Sequence, residues 1–150
     1  FHSARNKFEK SEAFRIRKKI FVTEQGLFDT SDMDEHDSNS IHLVARQNKK
    51  IIGTVRIYKE KEKTDHWIGG RLAIEKKFRN TNAGSGLVKE AMKRVKKRGC
   101  KNFTAHIQKK NIPFFLQLGW TPLGPVKTHF GHPHQKMEAD LNTVPEDMQI

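Results

Sequence analysis

The apolar positions change period several times along the chain. Between residues 9 and 22, Ala13, Phe14, Ile16, Ile20 and Phe21 recur at helical spacing with basic residues between them, which predicts an amphipathic first helix. Two short runs rich in β-branched residues follow, 41-IHLVAR-46 and 51-IIGTVRIY-58, joined by the polar turn Gln47–Lys50. They predict a strand pair, and a third strand is predicted within 66-HWIGGRLAI-74. The helical period then returns: Leu87, Val88, Ala91, Met92 and Val95 form a stripe opposite lysines and arginines, with Gly99 placed to end it. A strand at 102-NFTAHI-107, a short helix at 112-IPFFLQL-118 stopped by Gly119, and a final strand pair within 120–141 complete the order. The pattern describes a mixed α/β sheet with helices packed on its faces.

Composition narrows the picture. A chain of 150 residues without repeats, low-complexity tracts or linkers is expected to form a single domain over 1–150. No apolar run reaches the length of a membrane span, and no signal peptide is recognisable. The lone Cys100 excludes an intramolecular disulfide framework and fits a reducing compartment, so a cytoplasmic protein is expected. The chain opens on Phe1 rather than Met, so residues upstream, completing a first strand, are expected. The formal charge of +12 points to an anionic partner: nucleic acid, a membrane surface or a phosphorylated cofactor. Against this background 29-DTSDMDEHD-37 gathers five carboxylates in nine residues, either a solvated loop or a pocket for a cationic molecule.

The stretch 79-RNTNAGSGL-87 places small residues directly ahead of an apolar helix. Small residues allow close backbone approach, and N–H groups at a helix start form an anion site, so a phosphate is the predicted occupant. The glycine spacing excludes a dinucleotide fingerprint, and no lysine follows Gly86 as a P-loop requires. What fits is [QR]-x-x-G-x-[GA] across Arg79–Gly84, with Asn82 in place of the first glycine.

That pattern, with 21-FVTEQG-26, 34-DEHD-37, 42-HLVA-45, 53-GTVRIY-58, 115-FLQLGW-120 and 132-HPHQKM-137, resembles the GNAT superfamily of N-acetyltransferases over nearly the whole chain. Within it the chain resembles the ElaA-like branch and a related group of acetyltransferases found with nitrilase-type gene clusters. The resemblance implies a mostly antiparallel sheet with helices on both faces and a splayed central strand pair. It also implies acetyl-CoA as cosubstrate and a primary amine as acceptor, small and cationic if the acidic segment faces it. The diphosphate would lie on Arg79, Asn80, Thr81, Asn82, Ala83, Gly84, Ser85 and Gly86, with Asn82 tolerating the left-handed backbone a glycine would supply. The pantetheine arm would pair with Leu72, Ala73 and Ile74 as an added strand. Asn111 would contact CoA or cap the next helix. Glu24 and His134 are the candidates for the base or for handling the acceptor. Many relatives carry a tyrosine as general acid where this chain has Phe115, which has no proton to give, and Tyr58 does not match that position. A homodimer is compatible with the resemblance.

Two other constellations weigh less. The histidines of 129-HFGHPH-134, even with Asp34, His36 and Asp37, match no standard zinc spacing, and the superfamily reaction needs no metal. The basic helix face Lys89, Lys93, Arg94, Lys96, Lys97 and Arg98 lacks the interleaved aromatics of a nucleic-acid surface. The competing readings are an acyl-CoA sensor without turnover and, behind it, a basic nucleic-acid binder.

Overall fold

The first helix begins where the sequence supplies its cap. In the computed structural model, the Asn6 side chain accepts a 2.9 Å hydrogen bond from the Glu9 N–H and opens α1 (Lys7–Arg17). The helix continues as π-helical turns through Lys18–Glu24, so the predicted span of 9–22 extends by two residues at each end. The structure describes residues 1–62, 65–129 and 131–144. Phe130, within the histidine tract singled out above, lies outside the described residues.

The strands are β1 (His2–Ser3), β2 (Ile41–Gln47), β3 (Lys50–Lys59), β4 (His66–Ile74), β5 (Asn102–Gln108), β6 (Trp120–Pro122), β7 (Lys127–His129) and β8 (His132–Ala139). They form one sheet in the order β1-β2-β3-β4-β5-β8-β6, antiparallel except at β4–β5, with β7 also paired to β8. β1 pairs with Leu43 and Val44. Two residues carry no readable period, so the pattern did not place the strand, although a first strand at this end was expected. The predicted final strand pair is three strands, because Gly124 (φ 71) and Pro125 interrupt the partner of β8 and split it into β6 and β7.

The remaining helices are α2 (Ala83–Lys97) and α3 (Ile112–Gln117). α2 buries Leu87, Val88, Ala91, Met92 and Val95, the predicted stripe, and Gly99 (φ 80) ends it as expected. On this face of the sheet Phe103, Phe115, Trp120 and Met137 complete the larger core. The opposite face holds a smaller cluster of Ala13, Ile16, Ile20, Phe21, Val44, Ile51 and Ala73 beneath α1. Burial of each large side chain contributes about 1.5–3 kcal/mol, so the two stripes account for the helices' placement.

Two features of β4 position the site. Its parallel pairing with β5 runs from His66↔Asn102 to Gly69↔Ala105 and stops, while β4 stays on β3 to Ile74 and β5 stays on β8 to Gln108. The sheet therefore forks beyond Gly69, where any Cβ would press on the Phe103 ring at 3.0 Å. β4 also carries a bulge at Arg71, which has a left-handed φ of 54°. The extra residue switches parity: Trp67 faces the α2 core, but beyond the bulge it is Leu72 and Ile74 that pack there and Ala73 that joins the α1 cluster. No helix among the described residues is long and apolar enough to cross a membrane.

Candidate active site

The fork exposes backbone. The Glu75 N–H donates to the Ile52 carbonyl and Ala73 lies opposite Thr54, so strand alternation turns Leu72 and Ile74 away from β3, toward the gap left by β5. A cavity of about 610 Å³ occupies that gap and reaches both faces of the sheet. Leu72, Gly69 and Gly70 line its throat; Val88, Ala91, Phe103, Phe115 and Trp120 line the α2 side; Phe21, Phe28, Asp34, Tyr58, Arg71 and His134 line the other.

The N-terminus of α2 stands beside the throat. Thr81 Oγ1 accepts from the Ala83 N–H (3.2 Å), and the Asn82 carbonyl accepts from the Gly86 N–H (2.8 Å). The N–H groups of Gly84 and Ser85 meet no acceptor among the described residues, as expected of a helix start. Ala83, Gly84, Ser85 and Gly86 thus belong to the first helical turn rather than to a preceding loop. Only Arg79, Asn80, Thr81 and Asn82 remain outside it. Asn82 has φ −80° and ψ 8°, so the left-handed conformation expected of it is not used, and replacing the glycine there strains nothing.

Arg79 is locked in place. Its Nε donates to the Ile74 carbonyl (3.2 Å), and its guanidinium pairs with Glu24 at 2.7 Å. Through its hydrogen bond to Arg79, with Lys76 and Lys110 adding charge, the Glu24 carboxyl is held below the usual carboxylate range. Glu24, expected as base or acceptor ligand, thus stands with Arg79 and is not among the residues lining the cavity. Asn111 occupies the N-cap position of α3 but makes no side-chain cap bond, and it lines the cavity instead. Phe115 is buried edge-on against Trp120, ring centroids 5.3 Å apart, so its position offers packing and no acid.

On the far side of the fork the acidic segment takes a form the sequence did not suggest. Arg17, 1% exposed, donates from Nε to Asp32 (2.7 Å) and in a bidentate pair to Asp37 (2.7 and 3.1 Å). Arg56 pairs with Asp34 (2.6 and 2.8 Å) and reaches Asp37, and Arg71 at the bulge pairs with Asp32 and Asp34 at 3.3 Å. Three aspartates thus face three arginines, so three of the five carboxylates of 29–37 are neutralised from within, while Glu35 stays exposed at the cavity. The arginines lie 15 to 39 residues along the chain from the aspartates they meet, within helix and strand patterns that gave no local sign of this; only the tertiary fold joins them.

Burial raises the Asp34 and Asp37 carboxyls, but the hydrogen bonds from Arg56 and Arg17 and the surrounding charge outweigh it and leave both low, Asp37 far below the usual range. The folded pKa values lie below the unfolded ones, so this stabilisation is full above about pH 4 and is lost as the pH falls through the folded values. Urea midpoints are expected to be flat from neutrality to about pH 5 and to drop steeply below pH 4, with a shallower drop in Asp37→Asn.

His134 is 6% exposed, lines the cavity and donates from Nδ1 to the His132 carbonyl (3.0 Å), which places the basic lone pair on Nε2. His106 lies on the same face two registers away, its pKa lowered first by burial and then by Lys136. Sequence reasoning missed several lining residues. Tyr58, stacked on His36 (centroids 4.3 Å apart), was set aside for not matching the acid position, and burial raises its pKa. Arg71 and Trp120 fall within stretches read as a strand and as part of the resemblance, but neither was singled out as a site residue. On the outer face of α2, Arg94 pairs with Glu90, Lys96 donates to the Val144 carbonyl and Arg98 lies over Trp67. Part of the basic face is therefore engaged within the fold.

The profile of the acetyltransferase (GNAT) family matches residues 9–120, and the chain belongs to that family. YjcF of Bacillus subtilis strain 168, an uncharacterised N-acetyltransferase, is 26% identical over 138 residues, covering 91% of this chain and 96% of its own. Among solved structures, Escherichia coli ElaA matches with a TM-score of 0.80 at 20% identity, over 91% of this chain and 93% of ElaA. An aminoglycoside 6′-N-acetyltransferase complexed with coenzyme A gives 0.73 at 15% identity, over 94% and 95%. These two likenesses establish the fold. Family and fold together make the chain an N-acetyltransferase, with the splayed strand pair that the sequence implied.

Proposed function

We propose that the chain transfers an acetyl group from acetyl-CoA to a primary amine by direct attack, with both substrates held across the fork. The observation that carries this reading is the parting of β4 and β5 beyond Gly69 with the start of α2 beside it. The diphosphate is read onto the N–H groups of Gly84 and Ser85 at the positive helix end, flanked by the backbone of Asn80–Gly86. Arg79 adds a charge-assisted contact, and Glu24 is a positioning residue that aims it. The pantetheine arm is read as an added strand on Leu72 and Ile74, with Ala73 turned to β3 and Asn111 on the opposing wall.

In the transfer, the amine nitrogen attacks the thioester carbon; a C–N bond forms, the C–S bond breaks and the sulfur leaves with its electron pair. The attacking nitrogen gives up one proton and the thiolate gains one, so the products are the amide and CoA thiol. His134 Nε2 is the proposed acceptor of the amine proton, directly or through water. Backbone N–H groups on the open edge of β4 are the proposed donors to the carbonyl oxygen as it gains charge. Solvent reprotonates the thiolate, since Phe115 has no hydroxyl; a thiolate leaves without an acid more readily than an alkoxide. The acceptor is read as a small amine, with no demand for more than one positive charge.

Phe115 also favours a second reading, an acyl-CoA sensor without turnover. Calorimetric titration with acetyl-CoA followed by thiol release across a panel of primary amines separates the two. Saturable binding with amine-dependent thiol release is expected; binding with no release from any amine would make the chain a sensor. His134→Gln is expected to lower kcat about 100-fold or more, keep acetyl-CoA affinity within a few-fold, and remove the limb of the pH profile that reports the base. An unchanged profile would take that role from His134.

A further inference from the structure

We infer that the acceptor is an amine with a carboxylate close to its nitrogen, as in an amino acid, and that Lys127 and Lys136 hold that carboxylate beside His134. The inference rests on the acetyl-transfer reading of the fork and names the substrate class for its acceptor side. His134 on β8 lies directly opposite Lys127 on β7 and Gln108 on β5, and Lys136 lies opposite His106. Directly opposed residues of antiparallel strands point to one face, and so do residues two apart on a strand. His134 and His106 both line the cavity, so Lys127 and Lys136 stand on the face of the sheet that borders it. Opposed side chains start about 5 Å apart and next-but-one neighbours about 7 Å, within the reach of a lysine stem.

Lys127, Lys136 and His106 are exposed, so a molecule at the cavity mouth has access to them. Neither lysine pairs with a carboxylate among the described residues. Glu138, two residues beyond Lys136 on β8, accepts from Asn102 Nδ2 at 3.1 Å instead. The charges act on one another: after burial, Lys136, His134 and Lys127 together lower the His106 pKa. Like charges on neighbouring strands are unfavourable, and an anion seated among them relieves the repulsion.

The opposite wall has the reverse sign. Arg56 and Arg71 are spent on aspartates, while Glu35 is exposed, 3.4 Å from the His36 ring. An anionic group is therefore turned away from the Glu35 wall and drawn to the lysines. Both lysines neighbour the residue proposed to take the amine proton, so the anion belongs near the nitrogen and not at the far end of the acceptor. Once seated, the carboxylate also offsets the two ammonium charges as His134 Nε2 accepts its proton.

The test uses the whole chain, saturating acetyl-CoA and three acceptor pairs that differ only in the carboxylate: alanine and ethylamine, leucine and isoamylamine, phenylalanine and phenethylamine. Thiol release gives kcat/KM for each. The acid of the best pair is expected to exceed its decarboxylated partner by about tenfold or more, the worth of one charge-assisted contact. In Lys127→Met combined with Lys136→Met, that ratio is expected to fall about tenfold, through KM, with the thermal melt unchanged and acetyl-CoA affinity within a few-fold. Because the same pair is compared on both proteins, the difference in amine basicity cancels. Lys127→Arg combined with Lys136→Arg keeps both charges and is expected to retain the preference. An unaltered ratio in the double methionine variant, or faster turnover of the amines than of the acids, would overturn the inference and leave acetyl transfer standing. Acetyl-CoA binding with no release from any of the six would overturn it too and favour the sensor. Failure of acetyl-CoA to bind would overturn the reading of the fork and the inference with it.

Discussion

Gly84→Glu is expected to weaken acetyl-CoA binding by at least about 100-fold while leaving the fold as stable as before. The residue is the second of α2, and its N–H, like that of Ser85, meets no acceptor among the described residues. A Cβ there would stand 3.6 Å from Phe114 Cζ, an ordinary contact, and the backbone is not left-handed, so a side chain fits. A carboxylate in the first turn also complements the helix dipole, and glutamate is a better helix former than glycine. Against a diphosphate the same charge is repulsive by several kcal/mol, which is a factor of 100 or more in affinity. Calorimetry and a thermal melt on one sample separate the two effects. Gly84→Ala, measured beside it, isolates the steric contribution. Near-normal affinity in Gly84→Glu, with the melt unchanged, would move the diphosphate away from this helix end.

Arg17→Met should destabilise the protein by about 3–5 kcal/mol, the loss typical of stranding buried charges. Its guanidinium bridges Asp32 and Asp37, and all three side chains are almost wholly removed from water. The methionine replaces the volume but leaves two aspartates without their nearest counter-charge. Lysine is not expected to rescue, since a single ammonium cannot make the Nε contact and the bidentate pair together. Urea unfolding measures the change, with a melting temperature lower by on the order of 10 °C. The deficit is expected to shrink on adding Asp32→Asn and Asp37→Asn, because neutral amides need no cation. A loss below about 1 kcal/mol would show that the cluster carries little of the fold's stability.

The two variants probe halves of the site that were unequally legible in the sequence. The start of α2 was readable because its determinants are local. Glycine-rich spacing ahead of an apolar stripe specifies a helix start, and a helix start presents free N–H groups whatever surrounds it. The same locality explains why the strands 41–46, 51–58 and 66–74, the α2 stripe and the stop at Gly99 were found nearly to the residue. Misreadings fall where local and distant signals compete. Residues 83–86 looked like loop because glycine and serine are poor helix formers, yet the core contacts of Leu87 and Val88 draw the helix back over them.

The acceptor side was not legible. Asp32, Asp34 and Asp37 sit within one segment, but Arg17, Arg56 and Arg71 come from a helix and two strands. An acidic run reads the same in sequence whether water or arginine surrounds it, so the choice between a solvated loop and a pocket for a cationic molecule had to wait for the fold. The place of Glu24 was hidden for the same reason: it pairs with Arg79, 55 residues away, and is not among the residues lining the cavity.

What the sequence by itself determined is the set of elements, the stripe that seats α2 on the sheet and the small-residue helix start, because each depends on neighbours within a few residues. Tertiary structure decided the rest. Whether a strand edge is open and whether a carboxylate is spent on an arginine both depend on which distant groups are brought together. Charge and hydrogen-bond pairing act through space, and a linear pattern records only what lies beside a residue in the chain.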